Sequence, residues 1–173
     1  ILLDSNHNNF INLLENLKFA SKSNLNLSGE STGYIPINKK LDKFSLATLG
    51  FGYGLNCNLL QLTTAYAILA NNGKLVTPII DFKNKNKYIS QIIIPEKISK
   101  QIIKMLTTVT EPGGTATKAS IKGLKIAGKT GTSKVAIKGG YSDNSYQSLF
   151  VGIAPANNPK YVMAIIINEP SGK

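Results

Sequence analysis

Residues 124–133 read Leu-Lys-Ile-Ala-Gly-Lys-Thr-Gly-Thr-Ser and form the first of three strand-like segments near the end of the chain. The second covers residues 148–154 and has Leu-Phe-Val-Gly-Ile at its centre. The third, residues 161–168, is the very apolar Tyr-Val-Met-Ala-Ile-Ile-Ile-Asn. Three consecutive strands after a helical region predict an α+β fold with a largely antiparallel sheet.

Three helices are predicted before the sheet. Residues 6–19 carry apolar side chains at helical spacing, and residues 59–69 do the same before the stop signal Asn71-Asn72-Gly73. A third helix opens at Pro95-Glu96, because proline and an acid favour the first turn. Its predicted apolar face consists of Ile98, Ile102, Met105, Leu106 and Val109.

The remaining segments are predicted to be loops and short strands. Residues 21–43 are rich in Asn, Ser, Gly and Pro and predict a loop. Residues 75–82 and 91–94 suggest short strands, separated by a charged, Asn-rich turn at residues 83–88. With no repeat and no dividing linker, residues 1–173 are expected to belong to a single domain.

The charge is strongly positive, with 20 Lys+Arg against 9 Asp+Glu and a net charge of +11. Every basic residue is lysine, and the chain also carries 18 Asn and 21 Ile. A simple explanation for the excess of Lys, Asn and Ile is drift towards AT-rich codons. The alternative is selection for a basic surface that faces anionic lipid or wall polymer. Because nucleic-acid readers favour arginine, the sequence argues against a nucleic-acid partner.

Cys57 is the only cysteine and His7 the only histidine. The chain therefore cannot form an internal disulfide, and a zinc site or other metal cofactor is not expected. No apolar run reaches the ~18 residues that span a bilayer. Since Ile1 is not an initiator methionine and its surroundings suggest the middle of a helix, we expect the sequence to be part of a longer chain.

The segment around Lys129 has the features of a carboxylate-binding strand edge. Gly131 lets a ligand backbone approach, because no side chain stands in the way. Thr130 and Thr132 are two apart and so present their hydroxyls on one face, while Lys129 adds a cation. Alone, the tetrapeptide is a weak signal, since short Lys-Thr-Gly strings also arise in turns.

The surrounding sequence strengthens this signal, because Lys-Thr-Gly is one of three motifs of penicillin-binding proteins and β-lactamases, with Ser-x-x-Lys and Ser-Asp-Asn. In order and spacing, the chain resembles the transpeptidase domain of class B penicillin-binding proteins, closest to the division-specific (septal) members. The resemblance rests on residues 28–36, 51–55, 60–73, 113–116, 150–155, 158–159 and 167–170.

The resemblance implies the penicillin-binding, β-lactamase-like fold, incomplete at both ends, with further strands and a final helix outside residues 1–173. A sheet edge and apolar surface would then be exposed. It also implies a serine D,D-transpeptidase that cross-links peptidoglycan stem peptides ending in D-Ala-D-Ala and is acylated by β-lactams. Divisome membrane proteins would be partners, and the catalytic domain would lie in the periplasm, anchored in the inner membrane.

Carried onto this chain, the resemblance gives roles to the residues of the strand. Lys129 and Thr132 are the catalytic candidates: Lys129 supplies positive potential and helps proton movement, and the Thr132 N–H is an oxyanion-hole donor. Lys129, Thr130, Gly131 and Thr132 bind substrate, with Thr130 and Thr132 on the terminal carboxylate. Tyr53, in a glycine-flanked loop, is either a wall of the substrate cleft or a packed loop aromatic.

The other two family motifs are missing from this chain. No serine has a lysine three residues later, so the nucleophile is expected before residue 1 or has been lost. Ser142-Asp143-Asn144 copies the second motif but follows Lys129, whereas the family motif precedes it. We interpret this tripeptide as a turn. The alternative to an enzyme is therefore a penicillin-binding fold that acts as a binding or divisome scaffold without turnover.

Two residues that could act in nucleophilic catalysis, His7 and Cys57, are expected to have structural roles instead. His7 lies in a polar run at a predicted helix start and is expected to be exposed and capping. Cys57 has no basic partner nearby in sequence, so it is expected to be a buried structural thiol.

Overall fold

The computed structural model describes residues 3, 6–36, 42–80, 90–137 and 140–171. In these residues, four helices and a short 3₁₀ turn precede a three-stranded sheet, which confirms the predicted α+β class. The elements are α1 His7–Asn16, α2 Lys43–Leu49, α3 Leu59–Ala70, α4 Glu96–Thr107, the 3₁₀ turn Thr117–Ala119, β1 Ala127–Ile137, β2 Gly140–Ala154 and β3 Tyr161–Asn168.

The chain divides into two compact units. The first consists of Ile1–Ile68 and Lys74–Ile93, and the second of Leu69–Gly73 and Ile94–Lys173. Each has its own buried apolar side chains, including Ile11, Leu49 and Ile68 in the first and Ile103, Val151 and Ile153 in the second. That both belong to one domain stays a prediction.

Helix α1 is amphipathic as predicted but shorter than residues 6–19. It begins after Asn6, whose side chain accepts a hydrogen bond from the Asn8 N–H at 3.0 Å, and it buries Ile11 and Leu14. The helix ends at Asn16, and Lys18 then has φ 71°, a left-handed value that no helix can continue through.

Helix α2 was not predicted, because it lies almost entirely after residues 21–43, the segment that was predicted to be a loop. Its cap is Asp42, whose carboxylate accepts from the Ser45 N–H at 2.7 Å. Hydrogen bonds from Ser45 lower the pKa of Asp42. An aspartate at this position satisfies an otherwise unpaired N–H of the first turn, so Asp42 was the signal that could have indicated the helix.

The strand predictions for residues 75–82 and 91–94 were wrong for the described residues. Only an isolated antiparallel bridge joins Lys74 to Ile92, with a Leu75 N–H to Gln91 carbonyl bond of 2.8 Å beside it. One bridge is too little pairing to form a ladder. The turn predicted at residues 83–88 lies outside the described residues.

Helix α3 matches its prediction in extent but not in what it buries. Gln61 is only 4% exposed, although its neighbours Leu60 and Leu62 are more apolar. It forms a reciprocal cap with Asn58: the Gln61 N–H donates to Asn58 Oδ1 at 2.8 Å, and the Asn58 N–H to Gln61 Oε1 at 3.0 Å. Its Nε2 also donates to the carbonyls of Ser21 (2.8 Å) and Thr32 (2.7 Å). Gln61 thus ties the preceding loop to the start of α3.

Helix α4 begins as predicted, with Pro95 as cap and Glu96 in the first turn. Its predicted apolar face was partly wrong, because Ile98 and Met105 are 44% and 62% exposed. Three residues of α4 are buried instead: Ser99, Ile103 and Thr107. The buried hydroxyls are satisfied, Ser99 by the Leu69 carbonyl and Thr107 by the Lys104 carbonyl. Small hydroxyl side chains can therefore occupy the buried face that a hydropathy pattern assigns to larger apolar residues.

The sheet is antiparallel, as predicted, and the structure gives the strand order β1-β2-β3. Strand β1 begins and ends later than the predicted residues 124–133, and β2 begins earlier than the predicted residue 148. A register irregularity lies between Lys134 and Ala136. Strand β3 exposes a row of apolar side chains, as the sequence led us to expect: Tyr161, Met163, Ile165, Ile166 and Ile167. None of the helices in the described ranges reaches the length and apolarity that crossing a bilayer requires.

The hydrogen bonds of Gln61 yield a stability prediction. Gln61→Leu keeps a similar volume but leaves the Asn58 N–H and two carbonyls without their partner, so we expect the free energy of unfolding to fall by about 1–3 kcal/mol. Gln101→Leu, the same change at an exposed position of α4, is the control and should be nearly neutral. Chemical denaturation of the full-length protein measures both, and equal effects would rule out a special role for Gln61.

Candidate active site

The Lys-Thr-Gly-Thr element lies within β1, as predicted. It pairs with β2 so that Lys129 faces Val151 and Thr132 faces Ser148. Lys129 and Thr132 are exposed, while Thr130 and Gly131 are half-buried. The element is therefore part of a regular strand whose side chains still reach solvent.

The two threonines share one face of the sheet, because side chains two residues apart on a strand point the same way. The partner of Thr130 on β2 is Phe150. Phe150 lies so close to Gly128 that a Cβ there would be 2.6 Å from the ring. By the same alternation, Lys129 and Gly131 belong to the opposite face.

Lys129 nevertheless reaches the backbone edge of the strand. Its Nζ donates to the Thr130 carbonyl at 2.7 Å. Within the described residues β1 is an edge strand, paired only with β2. Alternate residues of an antiparallel strand direct their N–H and C=O groups to the same edge, so we expect the Thr132 N–H at the edge where Lys129 meets Thr130. A cation and a backbone donor at one open edge can hold a carboxylate or an oxyanion.

Thr115 is a site residue that the sequence did not reveal. Its Oγ1 lies 3.0 Å from Thr130 Oγ1, so the two hydroxyls form a hydrogen bond across 15 positions of sequence. The only signal was its place in the glycine-rich stretch of residues 113–116. The hydrogen bond adds a third hydroxyl beside the two on the strand.

The loop that carries Thr115 is fixed to the end of α4. The Ala116 N–H donates to the Val109 carbonyl at 2.8 Å. Gly114 packs so closely that a Cβ would lie 2.3 Å from the same carbonyl oxygen, so only glycine fits there. The position of Thr115 is therefore set by backbone contacts on both sides.

The start of β1 is also tied to this region. Thr110 is buried, and its hydroxyl donates to the Ile126 carbonyl at 2.9 Å. Ile126 and Ala127 are buried as well. Just before Lys129, the strand thus passes from the core of the second unit to an exposed edge.

Tyr53 belongs to the first unit, whereas the Lys129 strand belongs to the second. It lies in a turn between Gly52 and Gly54, both left-handed with φ 93° and 82°. Its side chain is 49% exposed rather than fully packed. Its part in substrate binding stays a prediction.

The structure corrects the interpretation of the Ser142-Asp143-Asn144 tripeptide and refines those of His7 and Cys57. Ser142, Asp143 and Asn144 lie within β2, so the tripeptide is not a turn. His7 is exposed at the first position of α1 as expected, but the capping residue is Asn6. Cys57 is half-buried, and this burial raises the pKa of its thiol and disfavours the reactive thiolate.

Within the ranges described, no three His, Cys, Asp or Glu side chains come together as a possible metal site.

Residues 3–173 match the family of the penicillin binding protein transpeptidase domain. The chain is 39% identical over 153 residues to the probable peptidoglycan D,D-transpeptidase PbpC of Pseudomonas aeruginosa, covering 88% of this chain and 27% of that protein. It is 38% identical over 173 residues to the peptidoglycan D,D-transpeptidase FtsI of Buchnera aphidicola subsp. Schizaphis graminum, covering 100% and 30%.

Solved structures give the same result. The transpeptidase domain of penicillin-binding protein 3 from Burkholderia pseudomallei superposes with a TM-score of 0.85 at 28% identity, over 92% of this chain and 49% of that one. Penicillin-binding protein 3 from Mycobacterium tuberculosis, complexed with ampicillin, gives 0.81 at 29% identity, over 93% and 39%.

The chain spans less than a third of the length of these two curated relatives. The match nevertheless covers nearly all of its own residues, and the chain belongs to the penicillin-binding protein transpeptidase domain family.

Proposed function

We propose that the protein containing this chain is a peptidoglycan D,D-transpeptidase that cross-links stem peptides in septal cell-wall synthesis. The observation that carries the proposal is the open edge of β1, where the Lys129 ammonium contacts the Thr130 carbonyl at 2.7 Å within the family match. The nucleophile would be a serine outside these 173 residues.

The reaction consists of two acyl transfers. The serine oxygen attacks the carbonyl carbon of the D-Ala-D-Ala peptide bond, an ester forms, and the terminal D-Ala leaves with a proton on its amine. The amine of a second stem peptide then attacks the ester, which forms the cross-linking amide and returns the proton to the serine. No oxidant or cofactor is needed for either step.

Lys129 would act through its charge and position. Its ammonium at the strand edge raises the local positive potential, which stabilises negative charge on the nucleophile and on the substrate carboxylate. Thr130 and Thr132 would donate hydrogen bonds to that carboxylate from their shared face. The contact between the Thr115 and Thr130 hydroxyls fits this role if Thr115 is the donor, because Thr130 then keeps its own proton for the carboxylate.

The Thr132 N–H would be one of two donors to the oxyanion. Such donors stabilise the charge that develops in the tetrahedral intermediate, and removing one typically costs about 2.7–4 kcal/mol of transition-state stabilisation. A backbone donor on a paired strand is already in position, so the reaction need not reorganise it.

The remaining assignments follow from the same proposal. β-Lactams would acylate the same serine, consistent with the ampicillin complex of the Mycobacterium tuberculosis relative. Tyr53 would contribute to the substrate cleft. The catalytic domain would lie in the periplasm of a bacterium, held at the inner membrane and joined to divisome membrane proteins.

The role of Lys129 predicts slow acylation when it is removed. In the full-length protein, Lys129→Ala should lower the rate of labelling by a fluorescent penicillin about 100-fold, in the lower range of what general acid–base catalysis contributes. Lys160→Ala, which removes an exposed lysine before β3, is the matched control and should label normally.

Unchanged labelling of Lys129→Ala would remove this residue from the site. If the unaltered protein takes no label while remaining folded, the scaffold alternative replaces the enzyme.

Alanine substitutions at two glycines of β1 are expected to have different effects on stability and on acylation. A Cβ at Gly128 would lie 2.9 Å from the Val151 carbonyl as well as against Phe150, so Gly128→Ala should lower the free energy of unfolding by about 1–3 kcal/mol. A Cβ at Gly131 meets only Leu149 at 3.4 Å, an ordinary contact. Gly131→Ala should therefore keep stability within ~0.5 kcal/mol but slow acylation, because its methyl group enters the space of the acyl chain.

Thermal unfolding and penicillin labelling of the two variants separate these effects. Wild-type acylation of a folded Gly131→Ala variant would contradict the idea that Gly131 leaves room for substrate.

A further inference from the structure

The second unit contains a cavity of about 270 Å³ with a basic rim. Lys100 and Lys104 of α4 line it, together with Lys125 from the segment before β1. No acidic residue lines it in the described part of the chain. Three lysine side chains therefore line the cavity, and the proposed transpeptidase chemistry uses none of them.

The floor of the cavity is apolar. Ile103 and Ala156 are each 8% exposed, and Pro159 lines the cavity beside them. An inorganic anion would gain nothing from such a floor, since its favourable contacts are charges and hydrogen-bond donors. A ligand with both a carboxylate and a small apolar group would match the rim and the floor together.

Hydrogen bonds fix the walls of the cavity relative to one another. Ser99 Oγ donates to the Leu69 carbonyl at 2.7 Å, which holds α4 against the end of α3. The Ala156 N–H donates to the Lys125 carbonyl at 2.7 Å, which joins the two remaining walls. The backbone segments that line the cavity are therefore already held in place, so binding a ligand should not require them to become ordered.

The lysines of the rim differ in how well they are paired. Lys100 forms an ion pair with Glu96 on α4, and Lys125 makes a long contact of 3.9 Å with Glu111. In the part of the chain that the structure describes, no hydrogen bond or ion pair involves the Lys104 ammonium. Lys104 also lies four residues after Lys100 on the same face of α4, so an anion between them would meet two ammonium groups, of which Lys100 already contacts Glu96.

The place of Lys104 in the last turn of α4 has another benefit, because cations stabilise the carboxyl ends of helices. That effect needs no cavity, however, and it does not explain the apolar floor beside the lysine.

We propose that this cavity binds the C-terminal carboxylate of a short peptide that ends in a small apolar residue. The carboxylate lies between Lys100 and Lys104, and the apolar side chain lies on Ile103 and Ala156. The volume suits one or two small residues, since pockets for drug-sized ligands begin at about 300 Å³. The proposal does not depend on the transpeptidase activity.

Calorimetric titration of the full-length protein tests the proposal. The protein carries Lys129→Ala, which weakens the carboxylate site at β1, and the probe is N-acetyl-L-alanyl-L-alanine. The controls are its C-terminal amide, acetate and inorganic phosphate. We expect the peptide acid to bind at least about tenfold more tightly than any control, and its affinity to fall with salt.

Two lysine variants locate the binding. Lys104→Gln should weaken peptide binding about tenfold, the effect expected for one charged hydrogen bond. Lys97→Gln removes an exposed lysine from the same helix but not from the cavity, and should leave binding unchanged. Both positions are exposed, so both variants should remain folded, and Lys104→Gln should lose only the small stabilisation of the carboxyl end of α4.

Three results would overturn the proposal: no detectable binding of the peptide acid, equal binding of the amide, or equal binding of acetate and phosphate. Equal effects of Lys104→Gln and Lys97→Gln would also overturn it, because they would indicate a general response to net charge. Penicillin labelling is not a readout here, so failure of this site and failure of the proposed enzyme activity remain distinguishable.

Discussion

The site depends on one constraint: β1 must have one edge paired and the other open. The regular pairing with β2 from Ala127 to Lys134 fixes which side chains of the strand share a face. The open edge leaves backbone groups available for a ligand, as in recognition by strand addition. If another strand of the chain covered that edge, the Lys129 ammonium and the Thr132 N–H could no longer meet a substrate.

An edge strand is easily displaced, so its rigidity has to come from its other contacts. Phe150 packs over Gly128, and the Thr110 hydroxyl bonds to the Ile126 carbonyl at the start of the strand. The glycine-rich loop after α4 reaches the middle of the strand through Thr115 and Thr130. Helix α4 therefore contributes no residue to the proposed chemistry. Its role is to position the loop that carries Thr110 and Thr115, whose hydrogen bonds hold β1 in place.

The parts of the fold predicted from sequence were those with strong local signals. Helix α3 carried a stop signal at Asn72 and Gly73, which are left-handed with φ 55° and 78°. Strand β3 was a single apolar run and was predicted with its observed ends. Helix α2 was missed because its seven residues are too few to show a clear helical period, and only the cap at Asp42 indicated it.

The features that the sequence could not predict depend on contacts between distant residues. Residues 75–80 have the composition of a strand, but a strand also needs a partner. Among the residues that the structure describes, the Lys74–Ile92 bridge is the only β-pairing near this segment. The buried positions of Ser99 and Gln61 depend on carbonyls far away in sequence. In the site, alternation along the strand placed Thr130 and Thr132 together. The contact between Thr115 and Thr130 depends on the path of the loop before β1, and a local sequence pattern does not predict that path.

The central claim is that the open edge of β1 receives the carboxylate and the acyl oxygen of the ligand. A crystal structure of the full-length protein acylated by ampicillin tests it most directly. We predict the ampicillin carboxylate within hydrogen-bond distance of the Thr130 and Thr132 hydroxyls, and the acyl carbonyl oxygen on the Thr132 N–H. An acyl group that lies away from β1, or a strand of the protein paired along that outer edge, would contradict the account.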